Sequence, residues 1–349
     1  MALTPQIKGQ ILALIIGVAS GVICYLIGMP LPWMLGPMFG NTIAALLQMP
    51  VRGPDKLRPF VIPILGVMLG SAITVELFAQ LGGWVLTLVL LPAYLAIAAG
   101  LSFSVYRFFG RYDNVTAFYA AMPGGLNEML IMGEEAGGDG RKIALAHAAR
   151  VLFVIFFVAL FFGLVLGVQS GANGASWIPL TAPTWADYAW LTLAAVLGVI
   201  LGRKARLPAA PVFGPMIVSG VFHVIGVVSI APPSVFIIAS QIVVGSIIGT
   251  RFVGATLAEL RRDMTLAAIA SAIMLLAGVG FGVVVAVLNG MNLSQAFLAY
   301  APGGLTEMSL LTIAMDQDVA YVSTMHIIRI TVVIAIAPYV FTALRNRLS

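Results

Sequence analysis

One interrupted apolar stretch occurs twice in this chain. Residues 121–129 read Ala-Met-Pro-Gly-Gly-Leu-Asn-Glu-Met, and residues 300–308 read Tyr-Ala-Pro-Gly-Gly-Leu-Thr-Glu-Met. Pro123, Gly124, Gly125, Leu126, Glu128 and Met129 return 179 positions later as Pro302, Gly303, Gly304, Leu305, Glu307 and Met308. The same offset carries His147 onto His326, Arg150 onto Arg329, and Gly66 and Gly70 onto Gly245 and Gly249; an offset of 178 aligns Gly36-Pro37 with Gly214-Pro215. Apolar matches come easily in so hydrophobic a sequence. A matched Glu, His and Arg at one offset do not, so the chain reads as a duplicated module with the Pro-Gly-Gly stretch at its centre.

What surrounds the repeat decides the solvent. Hydrophobic residues make up 61% of the 349 and charged residues 9%, and the mean hydropathy is +1.06. That balance predicts an all-α polytopic membrane protein. The net charge of +5 fits basic cytoplasmic loops better than a nucleic-acid surface, and no nucleic-acid partner is expected. Cys24 is the single cysteine, which excludes an intrachain disulfide and a multi-cysteine metal site. The run from Ile11 to Met29 lacks a convincing cleavage site and reads as a retained first transmembrane helix.

Apolar segments fall at about 9–29, 33–49, 59–79, 83–107, 114–137, 142–167, 186–202, 208–227, 232–252, 265–289, 293–315 and 318–342. Most reach the length of about 20 residues that a spanning helix needs. In 114–137 and 293–315 the break leaves two short arms, each long enough for only about half the hydrocarbon core. They are either broken spans or re-entrant hairpins, and loop charge separates the two. With both segments re-entrant and the N-terminus cytoplasmic, all of the 18 Lys and Arg residues except Arg150 and Arg329 fall on the cytoplasmic side. With both spanning, Arg141-Lys142 and Arg203-Lys204-Arg206 would be external. The positive-inside rule favours re-entry, and Trp33, Trp84, Trp177, Trp185 and Trp190 then lie near the outer interface.

The expected architecture is therefore two inverted repeats, each of five transmembrane helices plus one re-entrant Pro-Gly-Gly hairpin, about 10 spans in all. Repeat 1 covers 1–167, an external linker 168–185, and repeat 2 covers 186–349. Five spans per half is an odd number, so the second half inserts upside down, an arrangement that transporters use. Both termini are cytoplasmic.

Proline ends the first arm of each break by removing a donor. The paired glycines permit positive φ and close backbone approach. The second arm then begins with free N–H groups and a positive dipole end that can hold an anion. Asn127 and Thr306 are N-cap residue types that could also touch a ligand. Glu128, Glu307, Arg150 and Arg329 are charges at membrane depth, where they pair or face a cavity. The simplest arrangement pairs each Glu with the Arg of its own repeat; in the alternative, Arg meets an anionic solute and Glu a coupling cation or proton. His147 and His326 precede the arginines by three residues on one helix face and either relay protons or pack as hydrogen-bonded histidines. The substrate- or ion-binding set is thus Pro123, Gly124, Gly125, Asn127, Glu128, His147, Arg150, Pro302, Gly303, Gly304, Thr306, Glu307, His326 and Arg329, with no metal ligands. His223 has no counterpart in the other half and reads as structural or interfacial. The paired Gly-Pro segments and small-xxx-small glycines read as packing, and Glu134, Glu135 and Asp139 as solvated charges.

The repeated Pro-Gly-Gly-Leu-[Asn/Thr]-Glu-Met, the Gly-Pro pairs and the two His-x-x-Arg motifs resemble the AbrB-type duplicated membrane protein family over nearly the whole chain. Its members carry labels such as ammonia monooxygenase or regulator of aidB expression, and the resemblance implies a bacterial inner-membrane protein. The five-plus-hairpin arrangement is also similar to secondary carboxylate transporters, by analogy of fold alone.

Three functions compete. The first is an ion-coupled secondary transporter of a small anionic solute, with the lipid bilayer and that solute as partners and no cofactor; a homo-oligomer is compatible with it. The second is a monooxygenase, but oxygen chemistry needs a copper or iron site of several His or carboxylate ligands and the chain has three histidines, so no enzyme is expected. The third is an indirect effect on gene expression, exerted through the solute.

Overall fold

The computed structural model describes residues 4–29, 31–74, 81–164, 177–207, 209–254 and 257–348. The expected linker 168–185 lies outside the described residues up to position 176. Among the described residues the regular structure is helical. In chain order the helices are α1 Pro5–Leu26, α2 Pro32–Leu46, α3 Arg58–Ser71, α4 Val85–Ser104, α5 Asn114–Ala121, α6 Leu126–Glu135, α7 Gly140–Leu164, α8 Trp185–Lys204, α9 Ala210–Val224, α10 Ser234–Gly249, α11 Leu257–Asn289, α12 Leu293–Tyr300, α13 Leu305–Ala314 and α14 Val319–Leu348. Among the described residues six helices are long and apolar enough to cross a membrane, as expected of a multi-pass membrane protein.

The duplication is visible element by element. The first seven helices correspond in order to the last seven. α2 and α9 are each 15 residues long, α5 and α12 each 8, and α6 and α13 each 10. Local irregularities recur too. Leu31 and Ala209, 178 positions apart, both precede their helix in the left-handed region at φ 47°. Pro37 and Pro215 both sit inside the helix that follows.

The compact units do not follow the repeats. Unit 1 is Met1–Leu81, Val158–Gly254 and Ser309–Ala320; unit 2 is Gly82–Phe157, Ala255–Met308 and Tyr321–Ser349. Each unit takes half of its helices from each repeat.

In unit 1, α1 packs on α2 and α8 on α9, while α3 packs on α9 and α10 on α2. The exchange is reciprocal at single residues. A Cβ on Gly66 would collide with the Val212 carbonyl, and one on Gly70 with that of Met216. A Cβ on Gly245 would collide with the Met34 carbonyl, and one on Gly249 would lie 2.5 Å from that of Met38. These are the expected small-xxx-small contacts. Between helices in lipid no hydrophobic driving force remains, so close backbone packing must supply the attraction.

Unit 2 holds both Pro-Gly-Gly breaks, the first with both of its arms. α4 packs on α5 and α11, and α11 on α12. An aromatic core joins Tyr94, Phe118, Tyr119, Tyr300 and Phe341, with Tyr94 edge-on to Tyr300 at 5.2 Å and Phe118 5.3 Å from Phe341 between ring centroids.

Candidate functional site

The first Pro-Gly-Gly segment doubles back on itself. Asp113 caps α5, accepting from the Thr116 N–H at 2.9 Å. The Asp139 N–H, which follows α6, donates to Thr116 Oγ1 at 2.8 Å. Between these ends, a Cβ on Gly133 of α6 would lie 3.2 Å from the Tyr119 Cβ of α5. The arms therefore run antiparallel, with residues 122–125 at the tip; a continuing span would separate positions 116 and 139 by tens of ångströms. At this base, burial pushes the Asp113 carboxyl up, but hydrogen bonds from Thr116 and neighbouring backbone outweigh it and hold the group below its ordinary value.

At the tip, the end of α5 leaves carbonyls without intrahelical partners. His147 and Arg150 of α7 reach them. The His147 Nε2–H donates to the Tyr119 carbonyl at 2.9 Å. Arg150 donates from Nη1 to the Met122 carbonyl at 2.8 Å and from Nη2 to the Gly124 carbonyl at 3.3 Å. Its Nη2 also donates to His147 Nδ1 at 2.8 Å. A guanidinium can only donate, so His147 accepts at Nδ1 and donates at Nε2, the neutral tautomer.

The second copy repeats the three bonds to backbone but not the Arg–His bond, and His326 Nδ1 is buried without a partner. His326 Nε2 meets the Leu298 carbonyl at 2.9 Å, and Arg329 donates to the carbonyls of Ala301 at 2.5 Å and Gly303 at 2.6 Å. The second tip is the more enclosed: Pro302 and Gly303 are buried, whereas Gly124 is half-buried. His147 and His326 are fully buried, and Arg150 and Arg329 are 4% and 2% exposed.

Three expectations are corrected here. The arginines serve the broken backbone, and Glu128 does not pair with Arg150. The Glu128 carboxylate instead folds over Gly125, and that of Glu307 over Gly304, where an added Cβ would strike it. Second, Gly124, Gly125, Gly303 and Gly304 do not have positive φ. Glycine is required there by close approach: a Cβ on Gly124 would meet Val333 at 2.9 Å and Met129 at 3.1 Å, and one on Gly303 would meet Met308 at 2.5 Å. Third, the N-cap of α6 is Gly125, whose carbonyl accepts from the Met129 N–H at 3.0 Å; Gly304 does the same for Met308. Asn127 and Thr306 are thus the second helical residues, and the glutamates occupy the third, from which a carboxylate can reach back to the N-cap backbone. The Asn127 side chain lies outside the described residues. Thr306 and Glu307 are buried, and Glu128 is half-buried.

Tyr94 was not singled out by the sequence. It is fully buried on α4, and its hydroxyl has no hydrogen-bond partner. His223 bonds the Ser219 carbonyl at 2.8 Å and the Ile230 carbonyl at 3.3 Å, a structural role. Glu134, Glu135 and Asp139 are exposed. Among the described residues no three His, Cys, Asp or Glu side chains gather at a spacing that could hold a metal ion.

The profile of the family described as Transition state regulatory protein AbrB matches residues 33–345. The chain belongs to the AbrB family. Among its relatives is a Bacillus subtilis (strain 168) protein named Uncharacterized protein YhjN, 25% identical over 353 residues that cover 95% of this chain and 92% of the relative. Another, from Escherichia coli (strain K12), is named Putative regulator AbrB and is 24% identical over 315 residues, 89% of each chain. For this AbrB-family chain, the match takes in both tips and both His-x-x-Arg motifs.

Proposed function

We propose that this AbrB-family protein is an ion-coupled secondary carrier of a small anionic solute in the bacterial inner membrane, and not an enzyme. Its architecture in this reading is two inverted repeats, each of five spans and one re-entrant hairpin. The observation that carries the reading is that one compact unit holds both Pro-Gly-Gly breaks, from distant parts of the chain, and buries a cation behind each. Paired broken helices of a duplicated chain are where carriers bind substrate and coupling ion. Irregular backbone at membrane depth is tolerated only inside protein or beside a wet cavity.

The residues divide the work. His147, Arg150, His326 and Arg329 satisfy the carbonyl ends of the first arms and hold the tips in shape. The N-termini of α6 and α13 present N–H groups and the positive ends of helix dipoles to the solute. Glu128 and Glu307, folded over those N-termini, are the groups that a coupling cation or proton would draw away.

Reconstitution into proteoliposomes tests this. With the sodium salts of small carboxylates and inorganic oxyanions, and an imposed pH or sodium gradient, we expect charge movement that requires both a particular anion and the gradient. Gly303→Val should abolish it while the protein stays monodisperse. Silence toward every anion, from correctly inserted protein, counts against a carrier.

The name of the Escherichia coli relative favours a second reading, regulation of gene expression. We place that effect downstream of the solute: a strain carrying Gly303→Val should then show the same expression change as a deletion.

A further inference from the structure

The arginine contacts leave a remainder. Arg150 and Arg329 spend their terminal nitrogens on the tip carbonyls, and each Nε–H is buried with no partner. The Tyr94 hydroxyl is buried and unpartnered as well. All three belong to unit 2, and packing gathers them: Gly124, whose carbonyl accepts from Arg150, lies against Val333, one helical turn beyond Arg329 on α14. Tyr94 is placed by its edge-on contact with Tyr300, whose successor Ala301 holds Arg329.

A purely structural role accounts for the terminal nitrogens and not for this remainder. Buried polar atoms are nearly always paired, and those that are not need a reason. Two guanidiniums buried in one low-dielectric unit also repel. The glutamates nearest in sequence do not resolve this at the first tip, since Glu128 is turned to its own helix N-terminus. An oxyanion resolves both problems, because it accepts several hydrogen bonds and brings the missing negative charge. With their terminal nitrogens tied to backbone, the guanidinium planes are fixed before any ligand arrives, which removes part of the ordering cost of binding.

We propose that the Nε–H groups of Arg150 and Arg329 and the Tyr94 O–H together bind one oxyanion group, carboxylate or inorganic, and that this is where the carried solute places its negative charge. This rests on the carrier reading for its physiological meaning and on the three unpaired donors for its chemistry. The donors are closed to solvent in this conformation, so the anion enters when a tip moves.

Tyr94→Phe separates ligand from scaffold. The hydroxyl makes no bond in the free protein, and phenylalanine keeps the ring contacts, so the unliganded variant should melt at the parent temperature or above it. Purified parent protein is titrated with sodium acetate, sodium succinate, sodium sulfate and sodium phosphate, against sodium chloride at equal ionic strength, with thermal unfolding as the readout. At least one oxyanion should raise the Tm saturably, and the arms tell carboxylate from inorganic anion. Tyr94→Phe should weaken that anion's apparent affinity about tenfold, the loss expected for a hydrogen bond to a charged group. No saturable shift beyond chloride in the parent overturns the inference without any variant. Equal affinity in Tyr94→Phe overturns it as well. Anion binding without flux would remove the carrier reading and leave the site standing; flux indifferent to Tyr94 would do the reverse.

Discussion

Units 1 and 2 are built from different helices of one duplicated module and use glycine and polar residues in opposite ways. In unit 1, glycines bring whole helices into contact with the backbone of neighbours, as Gly66 meets Val212 and Gly245 meets Met34. Its buried polar side chains among the described residues are neutral; Asn41, for example, is bonded to the carbonyls of Ala13 and Pro37 at 3.0 and 2.9 Å. In unit 2, glycines stand where helices stop, and the buried charges Arg150, Asp263, Glu307 and Arg329 are all found there. The lesson is one of cost. Breaking a helix at membrane depth exposes carbonyls that lipid cannot satisfy, and burying a guanidinium beside each break satisfies them at the expense of desolvating a charge. A chain that only needed stable packing had the unit 1 solution available twice. Unit 2 retains the expensive one in both copies.

The largest effect that sharpens this comparison is at Arg329. Arg329→Met leaves the carbonyls of Ala301 and Gly303 without their donor, each worth roughly 1–3 kcal/mol when buried and unpaired. We expect a fall in Tm larger than for any single polar substitution in unit 1, with Asn41→Leu as the reference. Equal falls would mean that the tips do not depend on their clamps.

Glycine substitutions come next, and they should separate stability from transport. Gly245→Val drives a side chain into the rigid backbone of α2, an overpacking cost of about 1–3 kcal/mol or more. Gly303→Val meets the flexible side chain of Met308, so its loss of Tm should be clearly smaller while its transport is gone. The opposite ranking by thermal unfolding would undo the contrast between the units.

The smallest expected effect is a coupling energy. If Glu128 and Arg150 were an ion pair, the double change Glu128→Gln, Arg150→Met would recover much of what the single Arg150→Met loses. The structure has them serving different ends of the break, so the effects should add to within about 0.5 kcal/mol. Rescue in the double variant would restore the ion pair.

Much of this was legible in the sequence, for a physical reason. In so apolar a chain a repeated Glu, His and Arg is conspicuous, and Pro-Gly-Gly stops a helix wherever it is placed, so the duplication and both breaks could be read from residues alone. The roles were harder. Arg150 in lipid invites a carboxylate partner, and only the doubled-back path of 114–139 shows that backbone carbonyls reach it first. The glycines signal either positive φ or close approach, and Val333, more than 200 positions from Gly124, decides for the second. Tyr94 gave no signal because a tyrosine in an apolar helix is ordinary until its hydroxyl is found unpaired. The mixing of the repeats into two units rests on contacts such as Gly66 with Val212, which no local pattern announces.

Our central proposal is that the two Pro-Gly-Gly segments are hairpins of oppositely inserted repeats, which would set their bases on opposite sides of the membrane. In a Cys24→Ser background, single cysteines replace Arg141, at the base of the first hairpin, and Leu293, at the base of the second. Intact cells and inside-out vesicles are then treated with a membrane-impermeant thiol reagent. The account predicts labelling at position 293 from outside only and at position 141 from the cytoplasmic side only. Labelling of both from the same side would contradict it.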